Sequence, residues 1–482
     1  MDMSSTRESL CDRSATDLTQ LIATKEISPR ELLVDCEARI EAVNPAVNAV
    51  VAQDPRAAAA AEAAEAAVLR GDDLGPLHGL PLGIKDLSET EGLATTFGSP
   101  LYAKYVPKAD DALVARLRAA GGLIAAKTNT PEFGAGANTT NKVYGVTGNP
   151  FDPAKTPAGS SGGSAVALAT SMLPLCSGSD LGGSLRTPAA YCGVVGLRPT
   201  PGLVPDASGQ RIFSPLSVEG PMGRSVADLR LLLSAMAGED PRCPLSRPGG
   251  ADDLHRVSPI DPGSRRVGFS EDLGVAPVSA EVRGLFRSRV AEMAPLFKES
   301  DEVTPPLADA NWVFETLRAV GFLAGFAKLY AKDPDQLGPN VRANVALGLE
   351  RSAADVAEAQ VAHAKLYRAF QAFHEELDFL ICPVASVQPF DKTQLFPETI
   401  DGQPLETYIS WIAITYAITL TGCPTLVLPC GLDEQGLPFG IQIVGKPWQE
   451  AELLAFGAGL EAALAEVPHC RRPSPDLAKL TA

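Results

Sequence analysis

The stretch Ala158-Gly159-Ser160-Ser161-Gly162-Gly163-Ser164, followed by Gly178-Ser179-Asp180-Leu181-Gly182-Gly183-Ser184, contains two clusters of glycine and serine. An apolar run from Ala165 to Leu175 separates the clusters and is long enough for a helix. Because glycine has no Cβ, the main chain can approach a substrate closely and successive N–H groups can converge on one oxygen. The clusters therefore predict serine hydroxyls and backbone amides gathered around one point, as attack on a carbonyl requires.

A serine nucleophile needs a base, and the chain offers few histidines. None of them lies in an acidic context typical of a catalytic triad: His78, His255, His363, His374 and His469. Lys85, by contrast, lies in the apolar, strand-like run Gly79 to Leu87, where burial would disfavour the ammonium. A lysine that is neutral near pH 7 needs its pKa lowered by roughly 3 units, which burial can supply. We therefore predict Lys85 as the base.

Together these motifs resemble the amidase signature family. The resemblance rests on Lys85 in its Gly-Ile-Lys-Asp setting, the Gly-Ser-Ser-Gly-Gly-Ser cluster, the run from Asp180 to Ala189, and Cys192-Gly-Val-Val-Gly-Leu-Arg-Pro-Thr200. Supporting matches extend from Asp110 to Gln442 and so cover nearly the whole chain. The resemblance implies an α/β fold, with a single large domain and a mixed, mainly parallel central sheet covered by helices on both sides.

The resemblance also implies roles for individual residues. Ser184 matches the nucleophile, Ser160 the bridging serine held on a cis peptide, and Lys85 the base. The oxyanion hole is expected to consist of backbone N–H groups at Leu181, Gly182 and Gly183. Further substrate contacts are expected from Ser161, Asp180, Arg186 and Thr187.

Ser161 is the competing candidate for the bridging role. It also completes Gly159-x-Ser161-x-Gly163, which formally matches the nucleophile elbow of α/β-hydrolases. We interpret this match as accidental, because an elbow needs a downstream acid and histidine and no convincing pair is visible.

The implied reaction is hydrolysis of a carboxylic amide C–N bond through an acyl-enzyme, with carbamates (urethanes) and esters as further substrates. The segment Pro201-Gly202-Leu203-Val204-Pro205 differs from the continuation typical of the A subunit of glutamyl-tRNA(Gln) amidotransferase, so we expect a stand-alone amidase. A glutamine-hydrolysing A subunit of such a complex is the alternative. A non-hydrolytic scaffold is disfavoured by the intact Lys85, Ser160 and Ser184.

Composition narrows the expected partners to a small-molecule amide. With 58 acidic and 41 basic residues the net charge is −17, which disfavours nucleic acid. The chemistry needs no cofactor, and no His, Cys or carboxylate cluster has the spacing of a metal site. The nine cysteines include no C-x-x-C pair, so buried free thiols are expected at Cys176, Cys192, Cys382, Cys423 and Cys430.

Cytoplasmic location is expected, since residues 1–8 have no apolar core of a secretory signal. The uncharged run between Glu406 and Asp433 resembles a membrane span, but Thr421-Gly422-Cys423-Pro424 interrupts it. We therefore predict a buried helix followed by a strand at Thr425 to Leu428, no membrane partner, and a monomer or homodimer.

We expect one domain over residues 1–482. Its parts are N-terminal helices (14–68), the signature core (75–205), a helical, substrate-determining insertion (264–376) and a C-terminal return to the sheet (377–465). The insertion is rich in aromatic residues that either line a pocket or pack in the core: Trp312, Phe314, Phe322, Phe326 and Tyr330.

Overall fold

The computed structural model describes residues 9–207, 212–249, 251, 253–254 and 257–481. Residues 1–8, on which the expectation about a secretory signal rests, and His255 lie outside these ranges.

Helices and strands alternate along most of the chain. The helices are α1 (Ala15–Ala23), α2 (Pro29–Val47), α3 (Ala57–Arg70), α4 (Ala112–Ala119), α5 (Gly162–Ala169), α6 (Arg186–Cys192), α7 (Val226–Met236), α8 (Ala280–Met293), α9 (Ala310–Lys332), α10 (Pro339–Glu350), α11 (Ala353–His374), α12 (Ala413–Thr419) and α13 (Glu450–Ala465). The strands are β1 (Val50–Gln53), β2 (Pro81–Lys85), β3 (Leu123–Thr128), β4 (Thr140–Asn141), β5 (Gly145–Val146), β6 (Leu175–Asp180), β7 (Val195–Arg198), β8 (Val218–Gly223), β9 (Arg266–Phe269), β10 (Glu299–Glu302), β11 (Phe379–Pro383), β12 (Thr399–Ile400), β13 (Gln403–Pro404), β14 (Thr425–Leu432) and β15 (Pro438–Val444).

Within the described residues, eleven strands form one sheet in the order β1-β3-β2-β6-β8-β7-β14-β15-β11-β9-β10. The sheet is mixed, as predicted, but the expectation that it is mainly parallel is wrong. Only β3–β2, β2–β6, β11–β9 and β9–β10 are parallel neighbours, and the other six pairs are antiparallel. Antiparallel pairs occur in both halves of the chain: β1–β3, β6–β8 and β8–β7 among the N-terminal strands, and β7–β14, β14–β15 and β15–β11 where C-terminal strands take part. The turn between β14 and β15 is too short for the crossover helix that a parallel pair needs.

Helices cover both faces of this sheet. In β14, Leu426 and Leu428 belong to one buried apolar cluster and Val427 to another, as expected for strand neighbours that point to opposite faces. Helices α7 and α13 pack in the first cluster, and α5 packs in the second. The chain therefore folds as a single large α/β domain.

Some predictions about individual segments are confirmed, and other features of these segments were not predicted. The run after Glu406 forms the buried helix α12 and then β14, as predicted. The nine cysteines are all unpaired and buried, which confirms the prediction for five of them. The segment 264–376 is mostly helical but also contributes β9 and β10, and the N-terminal helices are interrupted by β1; these three strands were not predicted. None of the described helices is both long and apolar enough to cross a bilayer.

The sheet positions the glycine- and serine-rich segments at one edge. Because β2 and β6 are parallel neighbours, their C-terminal ends, Lys85 and Asp180, lie at the same edge. The loop before α5 carries Ser160 and Ser161 to this edge, and the loop between β6 and α6 carries Ser184.

Gly163, in the first turn of α5, fixes how closely this helix approaches β3. A Cβ at Gly163 would lie 2.2 Å from the backbone N of Asn129 and 2.7 Å from the carbonyl O of Ala49. Relief would require movement of the main chain, so we expect Gly163→Ala to lower the free energy of unfolding by about 2 kcal/mol. Urea unfolding monitored by circular dichroism measures this change.

The matched control is Gly284→Ala in α8, where a Cβ would meet no atom within 4 Å. Because alanine favours the helical conformation, this variant should be as stable as the parent or more stable by up to about 1 kcal/mol. Equal unfolding free energies for the two variants would contradict the close approach at Gly163.

Candidate active site

Lys85, at the end of β2, is fully buried among hydroxyl groups. Its Nζ lies 2.7 Å from Ser160 Oγ, 2.9 Å from Ser161 Oγ and 2.9 Å from Ser179 Oγ. Burial disfavours the ammonium and lowers the pKa of Lys85 to about 7, although the carboxylates of Glu219 and Asp180 oppose this shift. The amine therefore titrates near neutrality, as a general base requires.

The three hydroxyls around Lys85 suit both of its protonation states. An ammonium has three N–H donors for three oxygen acceptors. A neutral amine donates only two hydrogen bonds and can accept one from a hydroxyl. Ser160 Oγ is the nearest of the three oxygens. Ser160 is therefore the best placed to pass a proton to Lys85.

Ser160 and Ser161 differ in what they face. The peptide bond between Gly159 and Ser160 is cis, as the resemblance implied. Gly159 and Ser160 both line a cavity. Ser161 is fully buried, does not line that cavity, and accepts a hydrogen bond from the N–H of Ser179 at 3.3 Å. This geometry favours Ser160 over Ser161 as the bridging residue.

Ser184 lies on the wall of the same cavity, at the end of the loop that follows β6. Its carbonyl O accepts a hydrogen bond from the N–H of Ser161 at 3.1 Å, which ties the two serine-bearing loops together. Gly183, just before it, has φ +125°, and a Cβ there would lie 2.4 Å from Thr415 Oγ1. Glycine is therefore required at this position.

The loop also determines which N–H groups can bind an oxyanion. The N–H of Gly183 donates to Asp180 Oδ1 at 3.0 Å, so this predicted oxyanion donor is already engaged. For Leu181 and Gly182, no hydrogen-bond acceptor of the N–H is found within the described part of the chain, and both residues line the cavity. These two N–H groups are the better candidates for an oxyanion hole.

Asp180 is the buried centre of an ionic network beneath this loop. It pairs with Arg186 at 3.0 Å and Arg198 at 3.3 Å, and it accepts the N–H of Leu185 at 3.1 Å. Burial alone would raise the pKa of Asp180, but the charges of Arg186 and Arg198 outweigh it and hold that pKa well below its ordinary value. Asp180 therefore stays ionised and holds the loop in place.

The predicted substrate contacts divide into two groups. Thr187 lies on the cavity wall. Asp180 and Arg186 are fully buried, and like Ser161 they do not line the cavity. Direct substrate contact does not fit this burial, so we reassign Asp180 and Arg186 to support of the loop and Ser161 to support of Lys85.

The cavity has a volume of about 460 Å³ and an aromatic wall. We call this wall the aromatic row: Phe97, Phe133, Phe326 and Phe322. Successive ring centroids lie 6.3 Å, 4.7 Å and 5.9 Å apart, so the rings form a continuous surface.

The aromatic residues of the insertion therefore serve both expected purposes. Phe322 and Phe326 line the cavity, whereas Phe314 stacks on Tyr416 at 4.3 Å behind Gly182. The remaining two pack against apolar clusters: Trp312 and Tyr330. Phe97 and Phe133 were not predicted, because they come from loops distant in sequence.

Four carboxyl groups line the cavity: Glu89, Asp111, Asp206 and Glu219. Glu219 pairs with Ser179 across β6 and β8, and its Oε2 is buried without a hydrogen-bond partner among the described residues. Burial and the nearby Asp111 raise the pKa of Glu219 to about 8, and burial raises the pKa of Asp111 to about 6. Neither Glu219 nor Asp111 was predicted from the sequence as part of the site, although an acidic residue inside the apolar strand β8 is unusual.

The described histidines, which were considered as bases from the sequence, do not contribute to the cavity: His78, His363, His374 and His469. In the part of the chain that the structure describes, no three His, Cys, Asp or Glu side chains form a group suited to a metal ion.

Comparison with known proteins gives consistent matches over most of the chain. The amidase family model matches residues 31–454. An acylamidase from Rhodococcus erythropolis is 35% identical, with 95% of this chain and 96% of that protein covered. The A subunit of glutamyl-tRNA(Gln) amidotransferase from Chloroflexus aurantiacus is also 35% identical, with 90% and 93% covered.

Solved structures agree in fold. A bacterial aryl acylamidase belonging to the amidase signature enzymes superposes with a TM-score of 0.85 at 25% identity, over 95% of this chain and 99% of that one. A 6-aminohexanoate cyclic dimer hydrolase superposes with a TM-score of 0.83 at 27% identity, over 97% and 99%.

The network around Asp180 yields a stability prediction. In Asp180→Asn the two buried guanidinium groups lose their shared counter-charge, which should cost about 3 to 5 kcal/mol of unfolding free energy. Asp335→Asn is the matched control, since Asp335 pairs with Arg342 at the surface, where such pairs contribute about 1 kcal/mol or less. Chemical unfolding of both variants tests the assignment, and similar small losses would show that the network is dispensable.

Proposed function

This chain belongs to the amidase signature family and is an amide-hydrolysing enzyme, and we propose that its nucleophile is Ser184, activated by Lys85 through Ser160. The observation that carries this proposal is the 2.7 Å contact between the buried amine of Lys85 and Ser160 Oγ, beside a cavity that Ser184 also lines. A stand-alone amidase is the function that this geometry supports best.

In the proposed mechanism, neutral Lys85 accepts a proton from Ser160 while Ser160 accepts the proton of Ser184. The Oγ of Ser184 attacks the amide carbon, and the N–H groups of Leu181 and Gly182 stabilise the oxyanion that forms. The protons then return through the same residues to the leaving nitrogen as the C–N bond breaks. Water attacks the resulting ester by the same route, which releases the acid and restores Ser184.

The aromatic row supports amides with an aryl or apolar group as substrates. Offset aromatic rings at these separations present an extended apolar surface to a bound ring or chain. The matches to an acylamidase and an aryl acylamidase agree with this substrate class. Because the acyl-enzyme does not depend on the leaving atom, carbamates and esters with such groups are further proposed substrates.

The second candidate function is the glutamine-hydrolysing A subunit of an amidotransferase. The match to such subunits favours it, with 35% identity over 461 residues. We rank it second because Pro201 to Pro205 differs from the continuation typical of these subunits, and because the cavity wall is aromatic. Cytoplasmic location and a monomeric or homodimeric state, without nucleic acid, remain predictions.

The two functions separate when the purified chain is tested alone. We expect it to hydrolyse aryl amides without ATP or a partner, and Ser184→Ala to lower kcat/KM by at least about three orders of magnitude. A serine-directed reagent should label Ser184, as read by mass spectrometry. The control Ser234→Ala, in α7 and outside the cavity, should keep its activity. Label on Ser161, or turnover of glutamine only with a partner, would contradict the proposal.

The base assignment predicts a pH profile. Since only the neutral amine accepts a proton, kcat/KM should rise with pH through an ionisation near 7 and then level off. Lys85→Arg should be nearly as inactive as Lys85→Ala, because a guanidinium stays protonated. The exposed control Lys328→Arg should keep the parent profile.

Glu219 titrates in the same region, so a further variant separates the two groups. The negative charge of Glu219 raises the pKa of Lys85, and Glu219→Gln should therefore shift the rising limb to lower pH without removing it. Loss of the limb in Glu219→Gln, or a Lys85→Arg enzyme that retains most of its activity, would assign the ionisation to Glu219.

A further inference from the structure

Arg318, on α9, lines the cavity although it is only 6% exposed. Other buried arginines are matched by acceptors: Arg186 and Arg198 share Asp180, and Arg224 donates to the carbonyl groups of two residues in the N-terminal segment. For Arg318, no carboxylate lies within 4.0 Å of the guanidinium among the residues that the structure describes. Its positive charge therefore faces the cavity without a direct ion pair to any described residue.

The guanidinium of Arg318 is held in one position. One N–H donates to Asn344 Oδ1, and Asn344 in turn donates to the carbonyl O of Asn340 at 2.6 Å. The guanidinium carbon lies 4.8 Å from the ring centroid of Phe322 and 5.3 Å from that of Tyr408. A planar donor fixed in this way is preorganised for an anionic acceptor with two oxygens.

The remaining N–H groups of Arg318 form no hydrogen bond with a described residue. These N–H groups are accessible from the cavity, where a charged acceptor on a ligand forms a stronger hydrogen bond with a guanidinium than a neutral acceptor does. A ligand in the cavity is the natural source of that acceptor, since Arg318 is part of the cavity wall.

Arg318 also lies at a defined place relative to the nucleophile. The aromatic row begins at Phe97 and Phe133, and a Cβ on the adjacent Gly134 would lie 3.6 Å from Ser160 Oγ. The row ends at Phe322, on which Arg318 stacks. A substrate whose carbonyl lies at Ser184 can therefore extend along the row with its far end at Arg318.

We propose that Arg318 binds a carboxylate of the substrate, so that the preferred substrates are aryl or apolar amides with a carboxylate remote from the scissile bond. This inference rests on the proposed function and names its substrate class. The cavity wall also holds the carboxyl groups of Glu89, Asp111, Asp206 and Glu219, so a substrate carboxylate is favoured only where it contacts Arg318 directly.

The kinetic test compares carboxylate-bearing amides with neutral partners of similar shape. One pair places the carboxylate on the leaving group, 4-acetamidobenzoate against 4-nitroacetanilide. The other pair places it on the acyl group, glutaric acid monoanilide against hexananilide. For at least one pair, Arg318→Gln should lower the ratio of kcat/KM for the charged amide to that for the neutral amide by at least about tenfold.

Two further variants make this ratio decisive. Arg318→Lys keeps the charge but not the planar fork, so it should also lower the ratio, and it tests the proposal if Arg318→Gln fails to fold. Arg342→Gln, which removes an arginine of α10 outside the cavity, should leave the ratio unchanged. A merely structural role of Arg318 would lower turnover of both members of each pair alike. Such parallel losses, or ratios that stay within about tenfold of the parent for both pairs, would overturn the proposal.

Calorimetry on the Ser184→Ala protein separates this inference from the proposed function. For at least one of the two pairs, this protein should bind the charged amide more tightly than the neutral amide, and the double variant with Arg318→Gln should lose this preference. If the parent enzyme hydrolyses none of the four amides, the proposed function fails, while the binding preference still decides the role of Arg318. Equal affinities for the charged and the neutral amide in both pairs, together with unchanged kinetic ratios where turnover is measurable, would overturn the proposal.

Discussion

The buried carboxylate of Asp180 is the constraint on which the site depends. Two guanidinium groups, from Arg186 in α6 and Arg198 in β7, converge on it, and two N–H groups of the intervening loop do the same. Arg186 extends the network to Thr415 and Thr419 of α12. An ion pair without solvent is favourable only when its geometry and hydrogen bonds are complete. The sheet, the loop and two helices are therefore fixed relative to one another, and Ser184 with them.

A comparison of two buried lysines shows how neighbours decide chemistry. Burial lowers the pKa of both, Lys85 to about 7 and Lys127 to about 8. Lys127 lies 3.8 Å from the carboxylate of Asp86 and donates to the carbonyl O of Ser88 at 2.5 Å, so its ammonium is stabilised by a charge and a fixed acceptor. Lys85 contacts only hydroxyls, which can donate as well as accept. Lys127 stabilises the fold, whereas Lys85 can exchange a proton with its neighbours.

The sequence predicts those parts of the site that are encoded locally. Lys85 in its apolar strand and Ser160 and Ser184 in their glycine-rich loops are recognisable because each motif is contiguous and the chemistry demands those residue types. The number of strands in the sheet and their pairing directions were predicted less well. A pattern of alternating strands and helices favours parallel pairing, but the pairing partner of a strand can come from a distant segment, as the antiparallel pair of β7 and β14 illustrates.

Roles that depend on three-dimensional neighbours could not be read from the sequence. Asp180 and Arg186 stand in the motif beside Ser184, yet their burial turns them from expected substrate contacts into supports. Conversely, Phe97 and Glu219 belong to no recognisable motif, and they reach the cavity only because their loop and strand pack beside β2 and β6. The supporting residues differ from the cavity-lining residues in their exposure and in their contacts, and not in residue type.

The proposed reacting groups and the proposed substrate wall come from different parts of the chain. Lys85, Ser160 and Ser184 are held by the sheet edge and the Asp180 network, whereas Phe322, Phe326 and Arg318 project from the single helix α9. Helix α9 packs mainly on α10 and α11, and among the described residues its cavity side chains Arg318, Phe322 and Phe326 form no hydrogen bond or ion pair with the Asp180 network. Proton transfer demands that the distances around Lys85 stay fixed, but binding of a ring or a carboxylate tolerates exchange of the wall residues. This separation gives a physical reason why one fold can serve amidases with different substrates while the relay is kept.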